Sequence, residues 1–335
     1  MSIKHSHASQ HNKKSRHRDL IRVLVSLSFI AAIAYLLRDK WHEAFNILKQ
    51  LNWLIFGFVC LLFVGINLMT SYRLKKVLSI QAIRVGYRKL VYLNFIGLFF
   101  NLFLPSSLGG DVVKAYYISK ESGTKLKSIS SIVADRLFGL TAVIFVALIS
   151  LPFFFTQESD PHLTISVLVF ASAFFLVVTL LLNQRMAKKF SFVKNLIPTQ
   201  GLKQKLTDFY HTISYFRHHP KMLLTCFGLS LMVQIVAISM GYLVSNSLSL
   251  NVDFYIFLLI LPVTSIISML PSLGGLGVRE ASVVYFLSKY SSVEGATAFV
   301  LAYDILIYGF GLICGIVFAL LNGKMTAVKM GISDD

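Results

Sequence analysis

Two short stretches that interrupt long apolar segments decide the fold of this chain. The first reads Leu104-Pro105-Ser106-Ser107-Leu108-Gly109-Gly110-Asp111-Val112-Val113-Lys114, and the second reads Leu270-Pro271-Ser272-Leu273-Gly274-Gly275-Leu276-Gly277-Val278-Arg279-Glu280. Glycine weakens a helix interior because its backbone is unusually free, and proline does so because it lacks an N–H. Hydrocarbon cannot solvate the backbone groups that such a break exposes, so each break must face protein or a wet cavity. Broken apolar segments at matching places in two halves are a strong sequence indication of a transport site.

The composition indicates an integral membrane protein. Hydrophobic residues make up 56% of the 335 residues and charged residues only 14%, and the formal net charge is +17. The charges lie mostly between long apolar runs, so we interpret the basic excess as an orientation signal and expect no nucleic-acid partner. The three cysteines show no metal-ligand spacing, and no phosphate-binding loop typical of an ATPase is present, so we expect no metal, cofactor or ATP motor.

A membrane-spanning helix needs about 20 mostly apolar residues. Six segments meet this requirement as complete crossings: Leu20–Leu37, Trp53–Met69, Leu137–Phe155, Leu163–Leu182, Met222–Val244 and Ala296–Leu321. Two further apolar segments, Leu90–Leu108 and Phe254–Leu270, carry the breaks and continue beyond them. The segment Trp41–Asn52 is amphipathic, which is typical of a helix lying in the membrane interface.

Loop charges assign the sides of the membrane. Loops 71–90 and 183–221 are strongly basic and belong in the cytoplasm, whereas loops 156–162 and 245–253 contain no Lys or Arg and belong outside. If the first broken segment crossed completely, the basic stretch 114–136 would lie outside, against this rule. We therefore predict an all-α polytopic protein with six crossings and two re-entrant hairpins that enter from opposite faces as an inverted repeat. The alternative is eight crossings, which the lengths also allow.

Three regions follow from this topology. Residues 1–19 form a basic, disordered cytoplasmic tail, residues 20–325 the transmembrane domain, and residues 326–335 a short cytoplasmic tail. The stretch Ala32-Ile33-Ala34 resembles a signal-peptide cleavage site, but the apolar run continues beyond it, which favours an uncleaved anchor helix. We expect the protein in the cytoplasmic (inner) membrane, with both termini in the cytoplasm.

The hairpin tips are the candidate binding site. Glycines there precede helix starts, whose free N–H groups attract anions such as phosphate, and Lys114 and Arg279 follow about one turn later. The predicted headgroup ligands are Lys114, Arg279, Ser106, Ser107, Gly109, Gly110, Gly274, Gly275, Gly277 and Asn101. The alternative is structural: the glycines permit close helix packing, and the basic side chains extend to the interface.

Asp304 is an acidic residue well inside a predicted crossing, where an ionisable group is costly and marks function by default. It either carries a proton or braces Arg279 or Arg136 as an ion pair. Four other charged residues lie at segment ends, where each would close a gating salt bridge or cap a helix. They are Asp111, Asp135, Arg136 and Glu280.

These stretches resemble the lysylphosphatidylglycerol synthase transmembrane-region family, also called the flippase-like domain family. The matching residues are Asn101-Leu102-Phe103-Leu104-Pro105, Gly109-Gly110-Asp111-Val112-Val113-Lys114, Ala134-Asp135-Arg136-Leu137-Phe138-Gly139, and Leu270-Pro271 with Gly274-Gly275-Leu276-Gly277-Val278-Arg279-Glu280. Asp135 differs from the Glu that many relatives carry. The resemblance implies a region that moves a lipid between leaflets, in a stand-alone member without the soluble synthase domain.

Our leading hypothesis is a flippase or scramblase for a phospholipid or a polyprenyl-linked or other glycolipid, with an anionic or zwitterionic headgroup. The expected partners are therefore membrane lipids and enzymes of lipid or glycan synthesis. One alternative is a membrane transferase that uses Asp304 or Glu280 as a base on a lipid phosphate. Another is a non-catalytic component of a synthesis complex. The sequence favours the transporter over the enzyme, and we assign no catalytic residue.

Overall fold

A computed structural model describes residues 41–103, 109–155, 161–182, 208–209, 212–268 and 277–329. These residues form helices and connecting turns, with no strand among them. The helices are α1 Trp41–Lys49, α2 Trp53–Ile80, α3 Tyr87–Phe103, α4 Gly109–Ser122, α5 Lys125–Phe155, α6 Pro161–Leu182, α7 Pro220–Ser247, α8 Phe254–Ile267, α9 Val278–Leu287 and α10 Val293–Lys329. A short 3₁₀ helix, Tyr215–His218, precedes α7.

The long apolar helices coincide with predicted crossings. Within the described residues, four helices are long and apolar enough to cross a membrane, namely α2, α5, α7 and the Val293–Phe318 part of α10. Helix α6 has 22 residues and contains the predicted crossing Leu163–Leu182. The predicted crossing Leu20–Leu37 lies outside the described residues. The prediction of an all-helical polytopic chain is confirmed at this level.

Two helices extend beyond their predicted ends. Helix α2 continues to Ile80, so Arg73 lies inside a helix and not in a cytoplasmic loop, and α5 begins at Lys125, well before Leu137. The physical reason for the first difference is a partner for the charge. Both oxygens of the Asp135 carboxylate bind the Arg73 guanidinium, which is therefore tolerated on a buried helix face.

Each broken segment forms two half-helices. The first helix of each pair ends before the break and the second begins after it: α3 ends at Phe103 and α4 begins at Gly109, while α8 ends at Ile267 and α9 begins at Val278. Within each pair the two half-helices pack against each other.

Helices α3 and α4 run antiparallel. Near the break, the side chain of Asn101 contacts the backbone of Gly110; further away, Asn94 contacts Lys114. At the far end, Lys89 Nζ lies 2.7 Å from a carboxylate oxygen of Glu121. The register of these contacts shows that α3 and α4 lie side by side as antiparallel neighbours.

The packing order repeats in two halves. In the first half α2 packs on α3, α3 on α4 and α4 on α5; in the second, α7 packs on α8, α8 on α9 and α9 on α10. The halves also exchange contacts, because α3 packs on α10 and α8 packs on α5. The equivalent helices α2 and α7 run antiparallel, since Asn52 at the start of α2 contacts Ser247 at the end of α7, while Arg73 contacts Ser230.

Candidate functional site

The first turn of α4 is held against α3. Asn101 Oδ1 accepts a hydrogen bond from the Gly110 N–H at 2.6 Å. A Cβ at Gly110 would lie 2.8 Å from the Gly97 Cα, which no real Cβ tolerates, so this crossing requires glycine. Asn101, predicted as a headgroup ligand, therefore occupies one of the free N–H groups at this helix start.

A cluster of three charges surrounds this helix start, and we call it cluster 1: Asp111, Lys114 and Arg136. Lys114 Nζ lies 2.8 Å from Asp111 Oδ1, and Arg136 Nε on α5 donates to Asp111 Oδ2. The Asp111 side chain is only 8% exposed, whereas that of Arg136 is 45% exposed. With two cations and one carboxylate, cluster 1 carries a net charge of about +1, which is favourable for an incoming anion.

Asn94 connects cluster 1 to α2. Its Oδ1 accepts a hydrogen bond from Lys114 Nζ at 3.2 Å. Its Nδ2 contacts the Asn67 backbone oxygen at 3.2 Å, Asn67 Oδ1 at 3.1 Å and Thr70 Oγ1 at 3.0 Å. Because these three acceptors hold the amide, its oxygen is directed at the lysine. Asn67 and Thr70 were not among the ligands predicted from the sequence.

A second cluster lies at the start of α9, and we call it cluster 2: Arg279, Glu280 and Asp304. Arg279 Nη2 donates to Asp304 Oδ1 on α10 and lies 2.8 Å from Glu280 Oε1. The sequence analysis gave Arg279 and Arg136 as possible ion-pair partners of Asp304. In the structure the partner is Arg279, whereas Arg136 pairs with Asp111. Two carboxylates share one guanidinium, so cluster 2 has a formal net charge of −1 when both carboxylates are ionised.

Gly277 and Tyr308 complete the surroundings of cluster 2. Gly277 caps α9 with a φ of +84°, a conformation that favours glycine, and its N–H donates to Glu280 Oε2. The Tyr308 hydroxyl lies 3.4 Å from both Arg279 Nη2 and Glu280 Oε1, and the guanidinium carbon lies 5.8 Å from the Tyr308 ring centre. Tyr308 was not found by sequence reasoning, since a tyrosine in an apolar helix gives no distinct signal.

A small polar cavity of about 90 Å³ adjoins cluster 2. Gln234 of α7 and Thr264 and Ser265 of α8 line it, together with Arg279 and Asp304. Both hydroxyl groups donate to the Leu261 carbonyl, at 3.1 Å and 2.7 Å, so their lone pairs remain for other contacts. The cavity has the polar partners and the space that water molecules require.

The ion pairs of the two clusters have the same spacing in the sequence. Asp111 and Arg136 are 25 residues apart, and so are Arg279 and Asp304. The second residue of each pair also has the same position in its helix. Arg136 lies 11 positions after the first residue of α5, and Asp304 lies 11 positions after the first residue of α10. The signs of the charges are reversed between the halves.

A third charged group lies apart from the hairpin starts. Arg73 Nε and Nη2 donate to the two oxygens of Asp135 at 2.7 and 3.0 Å, and Arg73 Nη1 donates to Ser230 Oγ at 2.9 Å. The side chains of Arg73 and Asp135 are 7% and 12% exposed. Through Arg73, this network joins α2, α5 and α7. Arg73 was not among the predicted site residues. A signal was present, because the helical spacing of Asn67, Ser71, Leu74 and Leu78 indicates that the buried helix face extends beyond Arg73.

Several predicted ligands lie outside the described residues: Ser106, Ser107, Gly274 and Gly275. Gly109 and Gly110 are buried at the start of α4. The two carboxylates offered as a base, Glu280 and Asp304, are both ion-paired with Arg279. Within the described ranges, no three metal-ligating side chains come together.

The helices and buried charges together define a class: a polytopic α-helical membrane protein built on two pairs of half-helices. The model of the family described as lysylphosphatidylglycerol synthase TM region matches residues 20–315, and the chain belongs to this family. It is also similar to UPF0104 membrane protein MJ1595 of Methanocaldococcus jannaschii, with 24% identity over 311 residues, covering 87% of this chain and 90% of that protein.

Proposed function

We propose that this protein moves the polar headgroup of a membrane lipid between leaflets, as a flippase or scramblase. In this proposal the two half-helix pairs are re-entrant hairpins inserted from opposite faces, and six helices cross the membrane completely. The lipid tails stay in the bilayer while the headgroup passes between the hairpins. The observation that carries the proposal is the pair of buried clusters 1 and 2, each placed at the first turn of a half-helix.

The energetic need for such a path is large. An unpaired charge at the bilayer centre costs from about 3 to over 10 kcal/mol, depending on the estimate. Charged groups fixed at the hairpin starts offset this cost because they replace the water that solvates the headgroup. Helix starts add free N–H groups with a partial positive charge.

In cluster 1, a lipid phosphate can replace the Asp111 carboxylate as the partner of Lys114 and Arg136. Lys114 and Arg136 both bind Asp111. A phosphate that approaches the exposed side of Arg136 competes with the Asp111 carboxylate for both cations. Transfer of the cations to the phosphate frees Asp111, and their return releases the headgroup. The salt bridges therefore serve as a gate whose open form is the ligand-bound form.

Cluster 2 serves the opposite half of the path. Its guanidinium is already paired with two carboxylates, so an anion that binds Arg279 must displace at least one of them. The polar cavity with Gln234 and Thr264 gives the headgroup hydrogen-bonding partners beside Arg279. We further propose an inner-membrane location with both termini in the cytoplasm, and lipid or glycan synthesis enzymes as partners.

The test is lipid translocation in proteoliposomes. A fluorescent phosphatidylglycerol in the inner leaflet becomes accessible to an impermeant quencher only when it is moved. We expect Lys114→Ala to reduce the rate strongly, whereas Lys120→Ala, on an exposed position of the same helix, should leave it unchanged. Equal rates for wild type and Lys114→Ala would refute the assignment of cluster 1, and absence of transport by the wild type with any fluorescent lipid would refute the function.

A further inference from the structure

An apolar groove of about 390 Å³ lies between α5 and α7, and Val178 of α6 and Ile213 and Phe216 before α7 also line it. No residue of cluster 1 or cluster 2 is in its lining. Each helix contributes residues at positions i, i+3, i+4 and i+7, which lie on one helix face. These are Ala134, Leu137, Phe138 and Thr141 of α5, and Pro220, Leu223, Leu224 and Phe227 of α7. The rings of Phe145 on α5 and Phe227 on α7 are in contact, with centres 5.5 Å apart. The two helices therefore approach each other at the Phe227 end of the groove.

The lining is almost entirely hydrocarbon. Its one hydroxyl group on these two helices, on Thr141, donates to the Leu137 carbonyl at 2.7 Å and offers no proton to the groove. Protein interiors are close-packed, and an unfilled apolar space loses the dispersion contacts of its lining. A volume of this size falls in the range of about 300–1,000 Å³ that ligand sites occupy. Leu224 is 73% exposed at its edge, so the groove opens to the protein surface.

One end of the groove is basic. Helix α7 begins at Pro220, and the exposed residues Arg217 and Lys221 flank this helix start. Arg217 Nε donates to His218 Nε2 at 3.2 Å, which orients the guanidinium. The free N–H groups at the start of α7 add a partial positive charge. The sequence from 212 to 252 contains no Asp or Glu, so Arg217 and Lys221 have no acidic neighbour in this stretch.

We propose that the groove is a binding site for an anionic phospholipid that stays bound. One acyl chain lies between the two helix faces, and the phosphate binds Arg217 and Lys221 at the start of α7. The combination of an apolar groove between membrane helices and a basic mouth is the arrangement that selects anionic headgroups. The proposal does not depend on lipid transport, because none of its residues belongs to cluster 1 or cluster 2.

Native mass spectrometry of the purified full-length protein tests it. The protein in mild detergent is mixed with equal amounts of phosphatidylglycerol and phosphatidylethanolamine, and the lipids that remain bound are counted. We expect a preference for phosphatidylglycerol. Arg217→Gln and Lys221→Gln should each lower its retention about fivefold, the effect of one basic residue near a membrane surface. The control pair Lys125→Gln and Lys127→Gln, exposed basic residues at the start of α5, should have no effect.

The groove itself is tested by filling it. Leu224→Trp should abolish retention, and Thr141→Phe fills the same space from the other helix in case the first variant is unstable. Leu61→Trp places the same bulk on an exposed apolar position of α2 and should retain the lipid. Full retention by a groove-filling variant with a wild-type unfolding temperature would overturn the proposal, as would equal retention of the two lipids by the wild type. Lys114→Ala should retain the lipid, whatever its effect on transport.

Discussion

Clusters 1 and 2 occupy equivalent places in the two halves of the molecule but have opposite formal net charges. Cluster 1 joins two cations to Asp111, whereas cluster 2 joins two carboxylates to Arg279. The sequence alignment of the two glycine breaks places Lys114 on Arg279, which suggests equal roles. The structure gives them different surroundings. Lys114 is one of two cations that share Asp111, while Arg279 is the single cation that pairs with two acids.

Because of this difference, we expect loss of the cation to affect mainly ligand binding in cluster 1 and mainly protein stability in cluster 2. Removal of Lys114 leaves Asp111 paired with Arg136, so the local structure keeps a neutral pair. Removal of Arg279 leaves Glu280 and Asp304 together without their cation. We therefore expect the same substitution to have mainly a transport effect in the first half and a large folding effect in the second.

The largest expected effect is that of Arg279→Ala. Loss of one partner from a buried ion pair costs about 3–5 kcal/mol, because the remaining charge is unpaired. Denaturant unfolding in detergent measures this loss, and Lys114→Ala is the comparison, with a smaller expected loss because Asp111 keeps its ion pair with Arg136. Addition of Asp304→Asn to Arg279→Ala should restore part of the stability. Equal losses for Arg279→Ala and Lys114→Ala would show that the two clusters do not differ as described.

Gly110→Ala should be next. Its Cβ would meet the Gly97 backbone of α3, and such overpacking costs about 1–3 kcal/mol. Gly65→Ala on α2 is the matched control, since nothing lies within 4 Å of the added Cβ and alanine is the better helix former by about 1 kcal/mol. Unfolding measurements that rank the two variants in the reverse order would contradict the close crossing of α3 and α4.

Asn101→Ala should have an intermediate effect. It removes the acceptor for the Gly110 N–H, and loss of a comparable helix cap costs about 0.5–2 kcal/mol. Asn101→Asp keeps an acceptor oxygen and should recover most of the loss. If both variants unfold at the same denaturant concentration, the hydrogen bond does not stabilise the hairpin.

Lys89→Ala should have the smallest effect. The Lys89 and Glu121 side chains are 48% and 34% exposed, and exposed ion pairs contribute about 0–1 kcal/mol. The loss should decrease further at high salt. A loss as large as that of Gly110→Ala would indicate that the open end of the first hairpin is more buried than the structure shows.

Apolar length and the glycine and proline breaks predicted the long helices and the positions where half-helices end, because these features depend on local sequence. The partners of buried charges could not be predicted in this way. Arg73 was assigned to a cytoplasmic loop because a charge usually ends a span, and its partner Asp135 lies 62 residues away. The choice of Arg279 for Asp304 likewise depends on how α9 packs against α10. The reversed sign of the two clusters is visible only once these pairs are known.

The most direct test of the central claim is the sidedness of the two hairpins. Thr124→Cys lies in the exposed turn between α4 and α5, and Ser292→Cys lies in the exposed turn between α9 and α10. Each would be introduced after replacement of Cys60, Cys226 and Cys314 and labelled with an impermeant thiol reagent in sealed vesicles of known orientation. Hairpins inserted from opposite faces predict that Thr124→Cys reacts only from the cytoplasmic side and Ser292→Cys only from the outside. Labelling of Thr124→Cys from the outside would contradict the account.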